Sequence, residues 1–163
     1  KAAATITARL RARAADTDGP LDPARMVALD DDELRACGIS RPKVAALRDL
    51  THAVQTARIP TLPELAPLTD EEVIAALTGV RGIGRWTVEM QLIFLLDRPD
   101  VFPVSDVGVR RGFERTLELP HKATPAHMLE RSEAWAPYRS VASWYLWRAV
   151  DQTGEPAAPS AAL

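Results

Sequence analysis

The chain has a single cysteine, Cys37. That excludes a disulfide framework within it and any iron–sulfur cluster held by its own thiolates. Its three histidines, His52, His121 and His127, lack metal-ligand spacing, so surface or helix-end roles fit them better. No apolar run approaches the ~20 residues of a membrane span. No secretory leader pattern is visible, and a cytoplasmic location is the expectation. An excess of one charge is missing too: 20 Lys and Arg face 22 Asp and Glu, a net charge of −2. This excludes a polybasic protein that coats nucleic acid, but a local field at a cleft remains possible. Alternating strand patterns and internal repeats are also absent.

What is present is helix. With 163 residues and 47% hydrophobic content, the chain has material for one domain with a real core, assigned to residues 1–151. Residues 152–163 are small residues and prolines, expected to lack fixed structure. Periodicity predicts an amphipathic helix up to Ala14 and a short one from Pro23. Asp30 and Glu33 form a capping pair for a third helix that stops at Gly38, with Cys37 a small helix-end residue. A longer helix begins at Ser40 and Pro42, with Val44, Leu47, Leu50 and Val54 on its inner face. Ile59 to Pro67 holds three prolines and reads as a connector. Thr124-Pro125 starts a helix ending near Trp135, and Pro137 separates it from a last helix, Tyr138 to Val150. Trp135 and Trp144 are assigned to core. The fold class is all-α, with helices in two groups flanking a cleft.

The most informative stretch runs from Leu77 to Phe113, LTGVRGIGRWTVEMQLIFLLDRPDVFPVSDVGVRRGF. Before it, Thr69 and Glu72 form a second capping box, and Val73, Ile74 and Leu77 give that helix an apolar face. Gly79 ends it, and Gly82 and Gly84 supply backbone freedom for a hairpin. The next helix, expected over Arg85 to Leu96, is apolar nearly all round and predicts a buried central element. Its first amides have no intrahelical partner and its dipole is positive at that end. With Arg81 and Arg85 alongside, this is an anion site suited to a polymer phosphate, since it has neither the lysine nor the spacing of a nucleotide-binding loop. Arg110, Arg111 and Arg115 add positive charge nearby in sequence. Taken alone, Gly-Ile-Gly is equally a helix end and a tight turn, and Asp106 reads first as a helix cap. Trp86 and Trp147, without context, read first as core residues.

Three blocks in order, GVRGIGRWTVEM, RPDVFPVSDVGVRRG and WAPYRSVASWYLWR, resemble the helix-hairpin-helix DNA glycosylase superfamily, and within it the 3-methyladenine DNA glycosylase II branch. The resemblance runs from about Lys1 to Val150. It implies that Asp106 is the catalytic carboxylate. It places Trp86 where backbone-cleaving relatives carry a Schiff-base lysine, implying a monofunctional enzyme without a lyase step. Trp147 matches a second aromatic of the base pocket. Gly82, Gly84, Arg85 and Thr87 match positions that bind DNA phosphate, and the backbone carbonyls of Thr78, Val80 and Ile83 match a site for a monovalent cation, Na+ or K+. No other cofactor is implied. The expected partner is double-stranded DNA containing alkylated bases, bound by a monomer associated with the nucleoid. Relatives carry further helices before the position of Lys1, including the residue that fills the gap left by a flipped nucleotide, so an N-terminal part is expected to precede this sequence.

The chemistry is consistent with that assignment. The bond between base and sugar is hidden in a stacked duplex, so the nucleotide must turn out at a cost of a few kcal/mol. Stacking on an aromatic recovers about 1–3 kcal/mol. A purine such as 3-methyladenine or 7-methylguanine is cationic, and an indole face adds up to about 2 kcal/mol of cation–π attraction. Such a base is a good leaving group, so one carboxylate under the sugar suffices and no general acid is needed. Two other readings remain open from sequence: a non-enzymatic DNA-binding module using the same hairpin, and a glycosylase for other damaged bases.

Overall fold

The computed structural model describes residues 2–16 and 19–151, and the tail expected to be unstructured lies outside them. Helices form almost all of its regular structure. Among the described residues the sole β feature is an isolated bridge pairing Ala15 with Leu21. The chain divides into two compact units, Lys1–Gly84 and Arg85–Leu163.

The first unit contains α1 (Ala2–Ala14), α2 (Pro23–Ala28), α3 (Asp31–Ala36), α4 (Arg41–Gln55), α5 (Leu62–Leu65) and α6 (Asp70–Thr78). Its starts are written in the sequence. Asp22 caps α2 ahead of Pro23, and Asp30 and Glu33 exchange hydrogen bonds at α3. Thr69 and Glu72 do the same at α6. Leu10, Ala14, Met26, Leu34, Cys37, Ile39 and Val44 form one apolar cluster, with Cys37 fully buried at the end of α3. Two expectations change here. Val54 is exposed, and Thr51 and Ala53 occupy the inner face of α4 instead. The proline-rich connector holds the one-turn helix α5, capped by the Thr61–Glu64 box; Pro63 falls in its first turn, where a missing amide costs little.

The second unit contains α7 (Arg85–Phe94), α8 (Val107–Thr116), α9 (Pro125–Ser132), a 3-10 turn (Glu133–Trp135) and α10 (Arg139–Asp151). The helix expected to be buried all round is one-sided. Val88, Glu89 and Leu92 of α7 are buried, whereas Phe94 and Leu95 are exposed. It also ends at Phe94, with Asp97 in the left-handed region at φ 50°. Phe102, Val109, Phe113, Met128, Leu146 and Trp147 form the core of this unit. Trp135 joins it through edge contacts with Phe102 and Phe113, but Trp144 does not: it is 49% exposed, with the Arg148 guanidinium 5.7 Å from its ring.

Helices α8 and α10 make the main packing contact of this unit. It is possible because of Gly112. A Cβ there would overlap the backbone carbonyl of Leu146, so no other residue permits this approach. Before α8, the loop is tied to the start of α10. Arg139 grips Asp100 with two nitrogens, at 2.7 and 2.8 Å, and Ser140 accepts from the Val101 amide at 2.9 Å while donating to the Arg98 carbonyl at 2.6 Å. The Arg139 side chain holds the Asp100 carboxyl below its ordinary range, against a smaller opposing effect of burial.

Candidate active site

The glycine hairpin between Gly79 and Gly84 closes the first unit. Its turn is pinned internally by the Ile83 amide, which donates to the Val80 carbonyl at 3.1 Å. Gly82 adopts φ +82°, and a Cβ on it would lie 2.8 Å from the Ala46 side chain of α4. Glycine is therefore required at 82. Gly79 and Gly84 have open space around them and no left-handed backbone, so the freedom expected of Gly84 is not used. The amides of Gly82 and Gly84 donate to nothing among the described residues, and both glycines are exposed. Such amides are available to an anion. Thr78, Val80 and Ile83 line one concave surface with the three glycines, Arg81 and Asp49. Backbone carbonyl oxygens are the donor type that suits a hard cation, and of these three the Val80 carbonyl already accepts the Ile83 amide.

Sequence reasoning missed Asp49. Its carboxylate reaches from α4 to accept the Arg81 amide at 2.7 Å through Oδ2, while Oδ1 accepts from Arg58 at 2.7 Å. The amide bond first, and then Arg58, hold the Asp49 carboxyl below its ordinary range. No local signal marks this residue, because its partner lies 32 positions away.

In the second unit, the first turn of α7 carries Arg85, Trp86 and Thr87. Arg85 is ion-paired at 3.1 Å with Glu89 one turn on, and Glu89 is itself buried. Thr87 is half-buried in the same turn. Arg110 faces Glu114 at 3.6 Å, while Arg111 and Arg115 are exposed on α8.

Asp106 caps α8, as its local context allowed: its Oδ1 accepts the Val109 amide at 2.8 Å, and it is only 3% exposed. It also joins the two tryptophans. Trp147 donates its indole N–H to Oδ1 and Trp86 donates its own to Oδ2, each at 2.8 Å. The carboxylate thus accepts three hydrogen bonds of good length from donors on α7, α8 and α10. Each is charge-assisted, and together they leave the group no freedom to turn. Trp147 is nearly buried, one face stacked on Phe94 with ring centroids 5.7 Å apart. Trp86 is only half-buried. The two indoles therefore differ in exposure: Trp147 is packed within the unit, and Trp86 keeps more of its surface open.

A family model described as the HhH-GPD superfamily base excision DNA repair protein matches residues 1–137. DNA-3-methyladenine glycosylase 1 of Schizosaccharomyces pombe is 43% identical over 126 residues, covering 77% of this chain and 55% of the relative. DNA-3-methyladenine glycosylase 2 of Escherichia coli is 30% identical over 125 residues, covering 77% of this chain and 41% of the relative. This chain thus spans about half the length of the curated relatives it matches. Among solved structures, the S. pombe 3-methyladenine DNA glycosylase in complex with abasic DNA superposes with a TM-score of 0.84 at 37% identity, over 94% of this chain and 74% of that one. A DNA-3-methyladenine glycosidase from Bacillus halodurans gives 0.81 at 33% identity, over 96% and 70%. With a family match over most of its length and the fold of these solved relatives, the chain belongs to the HhH-GPD superfamily of base excision DNA repair proteins.

Proposed function

We propose that this chain carries the chemistry of a monofunctional DNA glycosylase of base excision repair, hydrolysing the N-glycosidic bond of alkylated purines of the 3-methyladenine and 7-methylguanine type. The observation that carries this reading is the Asp106 carboxylate, buried and held by two indole N–H groups. The names of the relatives support the substrate class.

In this mechanism the flipped, cationic base rests against the accessible face of Trp86, where stacking and cation–π attraction favour it over its neutral parent. The carbon–nitrogen bond breaks with its electron pair going to the base. Positive charge develops on the sugar, and the fixed carboxylate of Asp106 stabilises it without having to reorient. A water oxygen then bonds to the sugar carbon and loses its proton towards that carboxylate, leaving an abasic site. Trp86, which the resemblance aligns with the Schiff-base position, has no amine, and this supports hydrolysis without strand cleavage. Phosphate contacts are assigned to the hairpin amides of Gly82 and Gly84, and to Arg85 and Thr87 on the first turn of α7. The carbonyls of Thr78, Val80 and Ile83 would hold Na+ or K+, which supplies positive charge facing a phosphate. The enzyme works as a monomer on double-stranded DNA.

The test is Asp106→Asn. Release of methylated purine falls by at least about 10²–10³-fold, the usual cost of losing a transition-state charge partner. Binding to an abasic duplex persists. Undiminished release by this variant would remove Asp106 from the mechanism.

A further inference from the structure

We infer that Asp49 is the positioning residue of the hairpin: from α4 it fixes the Arg81 amide, and so sets how the Gly82 and Gly84 amides are presented to a DNA phosphate. The inference rests on the proposed role of that hairpin in gripping DNA. Two independent contacts carry it. Ala46 and Asp49 lie three residues apart, on one face of α4. Ala46 seats Gly82 so closely that no side chain is tolerated there, and Asp49 accepts the neighbouring Arg81 amide at 2.7 Å. The loop is therefore docked on α4 at two successive residues, 81 and 82. Backbone turns add to this: the Val80 amide donates to the Leu77 carbonyl at 3.2 Å and the Ile83 amide to the Val80 carbonyl at 3.1 Å.

A carboxylate beside a phosphate-binding loop is unfavourable on charge alone. Arg58 resolves this. Its guanidinium meets the other Asp49 oxygen at 2.7 Å, and its backbone is held by the Ala53 carbonyl at 2.8 Å just past the end of α4. The pair keeps the acceptor that Arg81 needs while offsetting its charge with a cation from the same unit.

The sign of the mutational effect separates this role from simple electrostatics. Removing a negative charge near DNA tightens binding if charge is all that matters. Loss of the seat weakens it instead. The experiment compares wild-type protein with Asp49→Ala and Asp49→Asn. It measures the Kd for an abasic duplex across a range of salt, KM and kcat for release of 7-methylguanine, and the exchange rate of the Arg81 amide in the free protein. For Asp49→Ala, Kd and KM rise by about fivefold to tenfold, kcat stays within about threefold, and the Arg81 amide exchanges about tenfold faster, as expected for one lost hydrogen bond to a charged acceptor. Asp49→Asn, which keeps a carbonyl oxygen for Arg81, recovers most of the lost affinity. Unchanged or tighter binding by Asp49→Ala overturns the inference, and so does an unchanged exchange rate at Arg81. Equal losses in both variants show that an acceptor oxygen for Arg81 is not what holds the affinity, and overturn it as well. If wild-type protein neither binds the duplex nor releases base, the glycosylase reading itself falls. If it does both and only the Asp49 results fail, that reading stands without this residue.

Discussion

The hairpin of the first unit and the carboxylate of the second are both small polar constructions, built to opposite specifications. Asp106 is buried and takes three hydrogen bonds from three helices, all within its own unit. The hairpin is exposed at Gly82 and Gly84, and held by the Asp49 carboxylate, the Ala46 contact and the backbone turns at Val80 and Ile83. The difference follows from the work proposed for each. A group that stabilises charge in a transition state is most effective when it cannot reorient. Groups that grip a phosphate backbone must stay open to solvent until the polymer arrives. On that proposal, rigidity is concentrated where charge would develop, and exposure where the backbone would bind.

The strongest disruption of the rigid side is Gly112→Ala. The new methyl has to displace the Leu146 backbone, and Trp147 is the next residue on α10. Overpacking of this kind costs about 2–3 kcal/mol. A urea titration is expected to show that loss, and base release to fall along with the displaced indole. Unchanged stability would mean that the α8–α10 approach is not the support described.

A milder variant sharpens the comparison without disturbing the packing. Trp86→Phe keeps an aromatic face for the base and deletes the N–H that holds Oδ2. Single-turnover release is expected to slow by roughly tenfold, the value of one hydrogen bond to a charged acceptor. Binding of the damaged duplex changes less. If affinity falls and rate does not, Trp86 serves the pocket rather than the carboxylate.

Acid has the smallest effect, and it acts through one carboxyl in each unit. The Asp49 and Asp100 carboxyls lie below their ordinary value of 3.8 in the folded protein, Asp49 chiefly through the Arg81 amide and Asp100 chiefly through Arg139. Depressed carboxyls contribute stability that is complete above the unfolded value and lost as pH falls through the folded one. DNA affinity and stability should therefore be insensitive to these two groups from neutral pH down to about pH 5, and both should decline below about pH 4. The Asp49→Ala variant should lack the hairpin part of that decline. A decline already present near neutrality would point to other groups.

How much of this was legible in the sequence follows from the range of the interactions. The boxes at Asp30–Glu33 and Thr69–Glu72 close within four residues, so side-chain chemistry announces them. The same signature stood at Thr61–Glu64, masked by the prolines around it. Asp106 was legible as a cap from its local context, and its proposed role as a site comes only through the resemblance of the surrounding blocks. The identity of its donors was not, because Trp86 and Trp147 lie 20 and 41 positions away. Asp49, Gly112 and the Asp100–Arg139 clasp escaped for the same reason: each acts across 30 or more residues. Trp144 was misplaced because an aromatic in a helix indicates apolar surface without saying which face is covered.

The central claim is that a carboxylate clamped by two indoles drives departure of a cationic purine. It is tested most directly by incubating the protein with a duplex carrying 7-methylguanine and identifying the products. The account predicts free 7-methylguanine and a strand that stays intact until alkali cleaves it at the abasic site, with no covalent adduct on borohydride treatment. A protein that binds this duplex tightly yet releases no base, or one that is trapped covalently on it, would contradict the account.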